Sequence, residues 1–146
     1  MSGRLIGIAR ARELRAPLEE LKEARVSAES GIEGDARGMK LNRQITVLFR
    51  EGWDDACMEL GVRLPWVTRR ANLLVEGIER PRETGGRLQI GDVMLEVTME
   101  TDPCMLMEQA HEGLKRVLTP DWRGGVCCRV LRGGRIATGD PITFSR

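Results

Sequence analysis

Tyrosine is absent from this 146-residue chain, and two phenylalanines and three tryptophans are its only aromatic residues. So few flat rings leave little on which nucleic-acid bases could stack, and no basic stripe compensates, so an RNA-binding barrel is disfavoured. Histidine occurs once, at His111, and the four cysteines (57, 104, 127 and 128) contain no CxxC pair. That donor set is poorly spaced for four-coordinate zinc. Cys127 and Cys128, being adjacent, point to opposite faces of any strand, which disfavours a disulfide between them. Long apolar runs are also missing. Nothing approaches the roughly 20 residues of a membrane helix, and "MSGRLIGIARARELRA" lacks a signal-peptide core. The expectation is a cytoplasmic protein whose thiols stay reduced.

Charge of one sign is lacking as well. Basic and acidic residues nearly cancel, leaving +1, and the two signs are interspersed, so bulk attraction to nucleic acid or membrane is not indicated. Within that balance the basic residues are twenty arginines and three lysines. Genome composition alone can produce such a bias, but guanidinium is also the better two-pronged partner for phosphate and carboxylate.

What is present suits one globular domain spanning 1–146, large enough to bury a core without a structural metal. "RLIGIAR" has the character of a first strand, and alternation from Arg25 gives way to a loop with glycines at 31, 34 and 38. "RQITVLF" is a buried strand in composition. Trp53, Ala56, Cys57 and Leu60 then recur on one face of a helix ended by Gly61, which assigns Cys57 to packing. "RRANLLVEGI" places Arg69, Arg70 and Asn72 at the mouth of another apolar run, and Gly91-Asp92 marks a hairpin. The tail "GGVCCRVLRGGRIATGDPITFSR" predicts strand, Gly133-Gly134 turn, short strand, Gly139-Asp140 turn and last strand. Many short strands with two or three helices favour a mainly β fold with helical insertions (α+β), a barrel or sandwich.

The segment "TDPCMLMEQAHEGLKRVL" carries the chemistry. Its periodicity at Met107, Ala110, Leu114 and Val117 predicts one helix, with Asp102 as N-cap, Pro103 in the first helical position and Cys104 in the second. A helix start favours a thiolate at Cys104, although the Asp102 carboxylate opposes it if aimed at the sulfur. His111, two turns along, is out of reach as a base, which argues against a Cys/His nucleophile. A metal ligand or sulfur carrier needs no such base. The competing reading is a small buried hydrophobe.

Taken in order, "GIEGDARG", "RQITVL", "RRANLLVEGI", "GGRLQIGDVMLEVT", "TDPC" and "GGVCCRVLRGGRIATGD" resemble the MOSC domain family, named for the C-terminal domain of molybdenum cofactor sulfurases. The resemblance runs from about Val26 to Ile142. It implies a mixed β-barrel with a few helices, and it makes Cys104 the residue that ligates molybdenum or carries sulfur, with Thr101, Asp102 and Pro103 as its surroundings. Arg70, Asn72 and Arg43 become candidates for holding the phosphate of the molybdopterin cofactor. Gly34 and Asp35 match the family's Gly-Asp loop, to which Arg37 adds charge. Two departures stand out: many members carry His or an aromatic after the Gly-Asp, where this chain has Ala36-Arg37, and many carry Glu where it has Ala71.

The family includes chains fused to an aminotransferase-like domain, amidoxime-reducing enzymes and stand-alone proteins. Its likeness implies cofactor sulfur transfer or reduction of N-hydroxylated compounds. In 146 residues no PLP site is expected, so either activity calls for a separate desulfurase or electron-transfer protein. The alternative is a non-catalytic barrel, a binding or interaction module that has lost the cofactor while keeping the motifs for structural reasons.

Overall fold

The computed structural model describes residues 2–146. Seven strands close into a barrel: β1 (Ser2–Arg10), β5 (Ile45–Phe49), β6 (Leu73–Glu76), β7 (Arg87–Ile90), β8 (Val93–Glu100), β9 (Val126–Arg132) and β11 (Pro141–Ser145). The ring runs β11-β7-β8-β9-β5-β6-β1, and the β11–β1 pairing closes it. The short β2 (Glu19–Leu21) lies outside, on β1, while β3 (Glu23–Ser27), β4 (Gly31–Ile32) and β10 (Gly134–Ala137) form a second, three-stranded sheet. The mainly β fold and mixed barrel expected from the sequence are what the chain adopts.

The mixed character comes from one parallel pair, β5 with β6. Parallel neighbours need a long crossover, and α1 (Arg50–Leu60) supplies it. Both faces of this pair are covered, which explains the unbroken apolar runs "VLF" and "LLV". Val47, Phe49, Leu73 and Val75 face the barrel core, whereas Leu48 and Leu74 belong to a second cluster with Trp53, Ala56 and Cys57 of α1. Period-two alternation thus splits one pair of strands between two cores.

Two sequence expectations are corrected. The single helix after Cys104 is two: α2 (Met105–Ala110) and α3 (Leu114–Leu118). Gly113 sits at φ 87 between them, and the Glu108 carboxylate accepts hydrogen bonds from the Gly113 and Lys115 amides (2.9 and 3.3 Å). A carboxylate that caps the second helix from within the first leaves no continuous i to i+4 ladder. Ala110 consequently faces solvent, while Met107, Leu114, Val117 and Leu118 pack in the second cluster. The other correction concerns Gly133-Gly134, which does not fold β9 back on β10. There the chain leaves the barrel and pairs with β3 in the smaller sheet. The Gly91-Asp92 hairpin is present, joining β7 to β8 with Ile90 opposite Val93.

Below α3, Asp121 accepts from Arg82 Nε (2.6 Å) and from Arg80 Nη2 (3.2 Å). The bond from Arg82, followed by the charges of Arg82 and Arg80, holds its carboxyl down at about 2. A depressed carboxyl contributes stability above its unfolded value of about 3.9 and loses it as pH falls through the folded one. Asp121→Asn is therefore expected to be less stable than the native chain at pH 7. Denaturant midpoints should show that gap closing between pH about 4 and about 2.

Candidate functional site

Cys104 is the one exposed cysteine, and Cys57, Cys127 and Cys128 are buried. Burial, then the neighbouring Cys127, pushes the Cys128 thiol far up, out of any ordinary reactivity. Cys127 turns the other way from Cys128, and its Sγ lies 3.2 Å from the Thr101 hydroxyl. Cys104 is the helix N-cap residue, not the second helical residue, and Asp102 lies in the extended approach instead of capping. Its own backbone is extended (φ −122, ψ −176), and its carbonyl accepts from the Met107 amide at 2.9 Å. The thiol therefore stands at the point where β8, prolonged through Thr101, turns into α2.

Thr101 is fixed from both sides. Its amide donates to the Gly125 carbonyl (2.9 Å), and its own carbonyl accepts from Arg69 Nη2 (2.7 Å). Arg69 Nε donates to the Gly124 carbonyl at 3.0 Å, so one guanidinium ties the ends of β8 and β9 together. Arg69 is 7% exposed, and among the described residues no carboxylate comes within ion-pairing distance of it. Burial lowers its affinity for the proton. Cys104, then Cys127 and Asp102, act in the opposite sense, and Arg43 reinforces the burial effect. Guanidinium stays charged under any of these influences.

Sequence reasoning singled out Arg70 and passed over its neighbour. Arg70 adopts a left-handed conformation (φ 64, ψ 31) at the close of the turn Trp66–Arg69, a strain of about 1–2 kcal/mol for a residue with a Cβ. The two arginines diverge as a result: Arg69 goes to the Cys104 side, while Arg70 Nη2 donates to the Ala16 carbonyl (2.7 Å). Arg37 Nη1 donates to the Arg70 carbonyl (2.6 Å), and Arg37 pairs with Asp35 at 3.2 Å. Asp35 is buried; its Oδ1 also accepts from the Ala11 amide, whereas its Oδ2 has no partner among the described residues. Gly34, exposed, precedes it in the loop. Burial, then Arg37, lowers Arg70, and Asp35 counters them.

The expected residues thus form two adjoining groups on either side of the Arg69-Arg70 step. Cys104, Thr101, Asp102, Arg69 and exposed Arg43 make one; Gly34, Asp35, Arg37 and Arg70 make the other. Asn72 lies between strands. Its Oδ1 accepts from the Thr46 amide (3.0 Å), and its Nδ2 donates to the Ala9 carbonyl (3.1 Å). His111 bonds its Nδ1 to the next residue's carbonyl.

Glu100 is a second residue the sequence reasoning missed. Burial, then the charge of Asp102 and a hydrogen bond with it, raises its carboxyl above the ordinary range, and Arg69 opposes that. A signal was there, because Glu100 and Asp102 are two apart in an extended segment and so share a face.

A cleft of about 920 Å³ lies elsewhere and includes none of these residues. Its two tryptophans have satisfied indole N–H groups, Trp53 on the Leu64 carbonyl and Trp66 on Glu20, and its cysteine is buried Cys57. Reactive groups converge at Cys104 instead. Among the described residues no three histidine, cysteine or carboxylate side chains gather as a metal cage.

A closed mixed barrel of this kind has counterparts among solved structures. The YuaD protein of Bacillus subtilis superposes with a TM-score of 0.86 at 20% identity, covering 99% of this chain and 96% of that one. YiiM of Escherichia coli gives 0.71 at 16% identity, covering 98% of this chain and 70% of its own. YiiM of Geobacillus stearothermophilus gives 0.70 at 16%, with 99% and 73% covered. Comparison with curated proteins gives no match. The sequence profile of the MOSC domain matches residues 34–143. The chain belongs to the MOSC domain family.

Proposed function

We propose that this MOSC protein binds the molybdenum cofactor in the cytoplasm, with the Cys104 thiolate as molybdenum ligand or sulfur carrier. The observation that carries the reading is a buried, unpaired Arg69 guanidinium beside the one exposed thiol. A buried cation without a counter-charge is costly, and an anion bound next to it relieves that cost. The donor set fits a polyanionic pterin phosphate: Arg70 and Arg37 beside Asp35, and Arg43 at the Cys104 side. A single thiolate suits a metal that arrives already held by its own cofactor.

When bound, the cofactor supplies a redox-active metal. This chain's residues would hold and orient it. Arg70, Arg37 and Arg43 would take the phosphate, Gly34 would admit the pterin to the loop backbone, and Asp35 Oδ2 would accept a donor from it. Thr101 and Asp102 would shape the approach to Cys104, while Asn72 keeps the supporting strands in place. Sulfur transfer within cofactor assembly or reduction of N-hydroxylated compounds are the activities such a site supports, with a desulfurase or electron-transfer protein as partner.

Protein made in a host that synthesises the cofactor, and purified anaerobically, is expected to contain molybdenum and pterin in equal amounts. Cys104→Ser should lose the molybdenum. The absence of both metal and pterin, together with unchanged cofactor titration by Cys104→Ser, would instead favour the non-catalytic barrel.

A further inference from the structure

Most arginines that this chain buries even partly are matched by a carboxylate: Arg80 by Asp121, Arg123 by Glu59, Arg37 by Asp35. Arg69, more buried than any of them, is matched only by the carbonyl oxygens of Gly124 and Thr101. Carbonyls satisfy N–H donors but leave the net charge in place. Nη1 has no hydrogen-bond partner among the described residues. The space around the guanidinium is fixed as well, since a Cβ on Gly124 would lie 3.0 Å from Arg69 Nη2 and 3.6 Å from Pro103 Cδ. The cation is thereby locked beside the residue that precedes Cys104.

We propose that Arg69 is a positioning residue that makes the Cys104 site selective for anions, so that the thiol meets negatively charged small molecules in preference to neutral ones. The ligand class is a small anion, such as an oxyanion or an anionic substrate, received beside the thiol. The inference rests on the reading of Cys104 as the reactive atom of the site. The other charges do not cancel the effect. Arg43 has the same sign, and Asp102 is exposed, where water screens it. Glu100, half-buried, is likewise screened in part by water. A charge in low dielectric acts further and resists salt better than these.

The test uses full-length protein from a host that does not make the cofactor, so that the thiol is free. Alkylation of Cys104 by iodoacetate, an anion, is compared with alkylation by neutral iodoacetamide at one pH, the adduct being located by mass spectrometry. Both reagents consume the same thiolate, so the ratio of their rate constants is independent of the ionised fraction. In the native chain that ratio should exceed the value for the same protein in denaturant by about tenfold. Arg69→Lys should keep most of the excess, and Arg69→Gln should remove it. A native ratio equal to the denatured one overturns the proposal even if no Arg69 variant folds. So does an excess that survives Arg69→Gln. An intact ratio in a protein that takes up neither molybdenum nor pterin overturns the cofactor reading and leaves the anion site standing.

Discussion

Gly125→Ala is expected to destabilise the protein by at least about 3 kcal/mol, visible as a fall in melting temperature of about 10 °C. Gly125 has φ 95, in the region that side chains rarely adopt, and a Cβ there would run into the Val47 carbonyl oxygen. Backbone strain of about 1–3 kcal/mol comes from the dihedral alone, and the clash is with main chain that cannot swing aside. The position also matters chemically. Gly125 bonds its carbonyl to the Thr101 amide, so a shift there moves the strand that carries Cys104. A variant that still folds should therefore lose iodoacetate preference as well as stability.

Asn72→Leu is expected to cost about 3 kcal/mol although leucine keeps the branched shape of asparagine. The substitution strips the Thr46 amide of its acceptor and the Ala9 carbonyl of a donor in a residue only 2% exposed. Two buried polar groups left unmade, at about 1–3 kcal/mol each, outweigh the gain from burying an apolar side chain. Urea unfolding would show a lower midpoint at an unchanged slope. A loss below about 0.5 kcal/mol would mean that water replaces the amide there.

Much of the barrel was legible because its strands are short, β-branched and punctuated by turns. β5, β6 and the β7–β8 hairpin fall where composition and Gly91-Asp92 put them. Helix α1 was legible through the face shared by Trp53, Ala56 and Cys57. Pairing between distant segments was not. Nothing local in "RGGRIA" tells β10 that its partner is β3, over a hundred residues earlier, because the choice is made by the barrel's closure. The break between α2 and α3 was hidden for another reason: Gly113 and Glu108 act together, whereas helix periodicity registers apolar positions alone.

At the candidate site, the thiol stood out in the sequence through the family resemblance, and the charge beside it did not. Cys104 announces itself by following Asp102-Pro103, but which of two adjacent arginines turns toward it depends on a left-handed Arg70, and only the folded chain settles that. The family resemblance favoured Arg70 because it begins the Arg-Ala-Asn run. Glu100 could have been found by counting two residues back from Asp102. Arg69 had no comparable local mark.

The two bonds from Arg69 reach residues 32 and 55 positions away in the chain. Contacts of that span form late, after the loops between them have closed. On a ribosome or early in refolding, Cys104 is therefore an ordinary thiol, and the electrostatics around it come into being only with the completed ring of strands. The order of events differs from that of a zinc finger, where the ion gathers an unfolded chain about itself. Here an anion is received by a finished vessel, so it stabilises the folded protein by mass action but does not direct its folding.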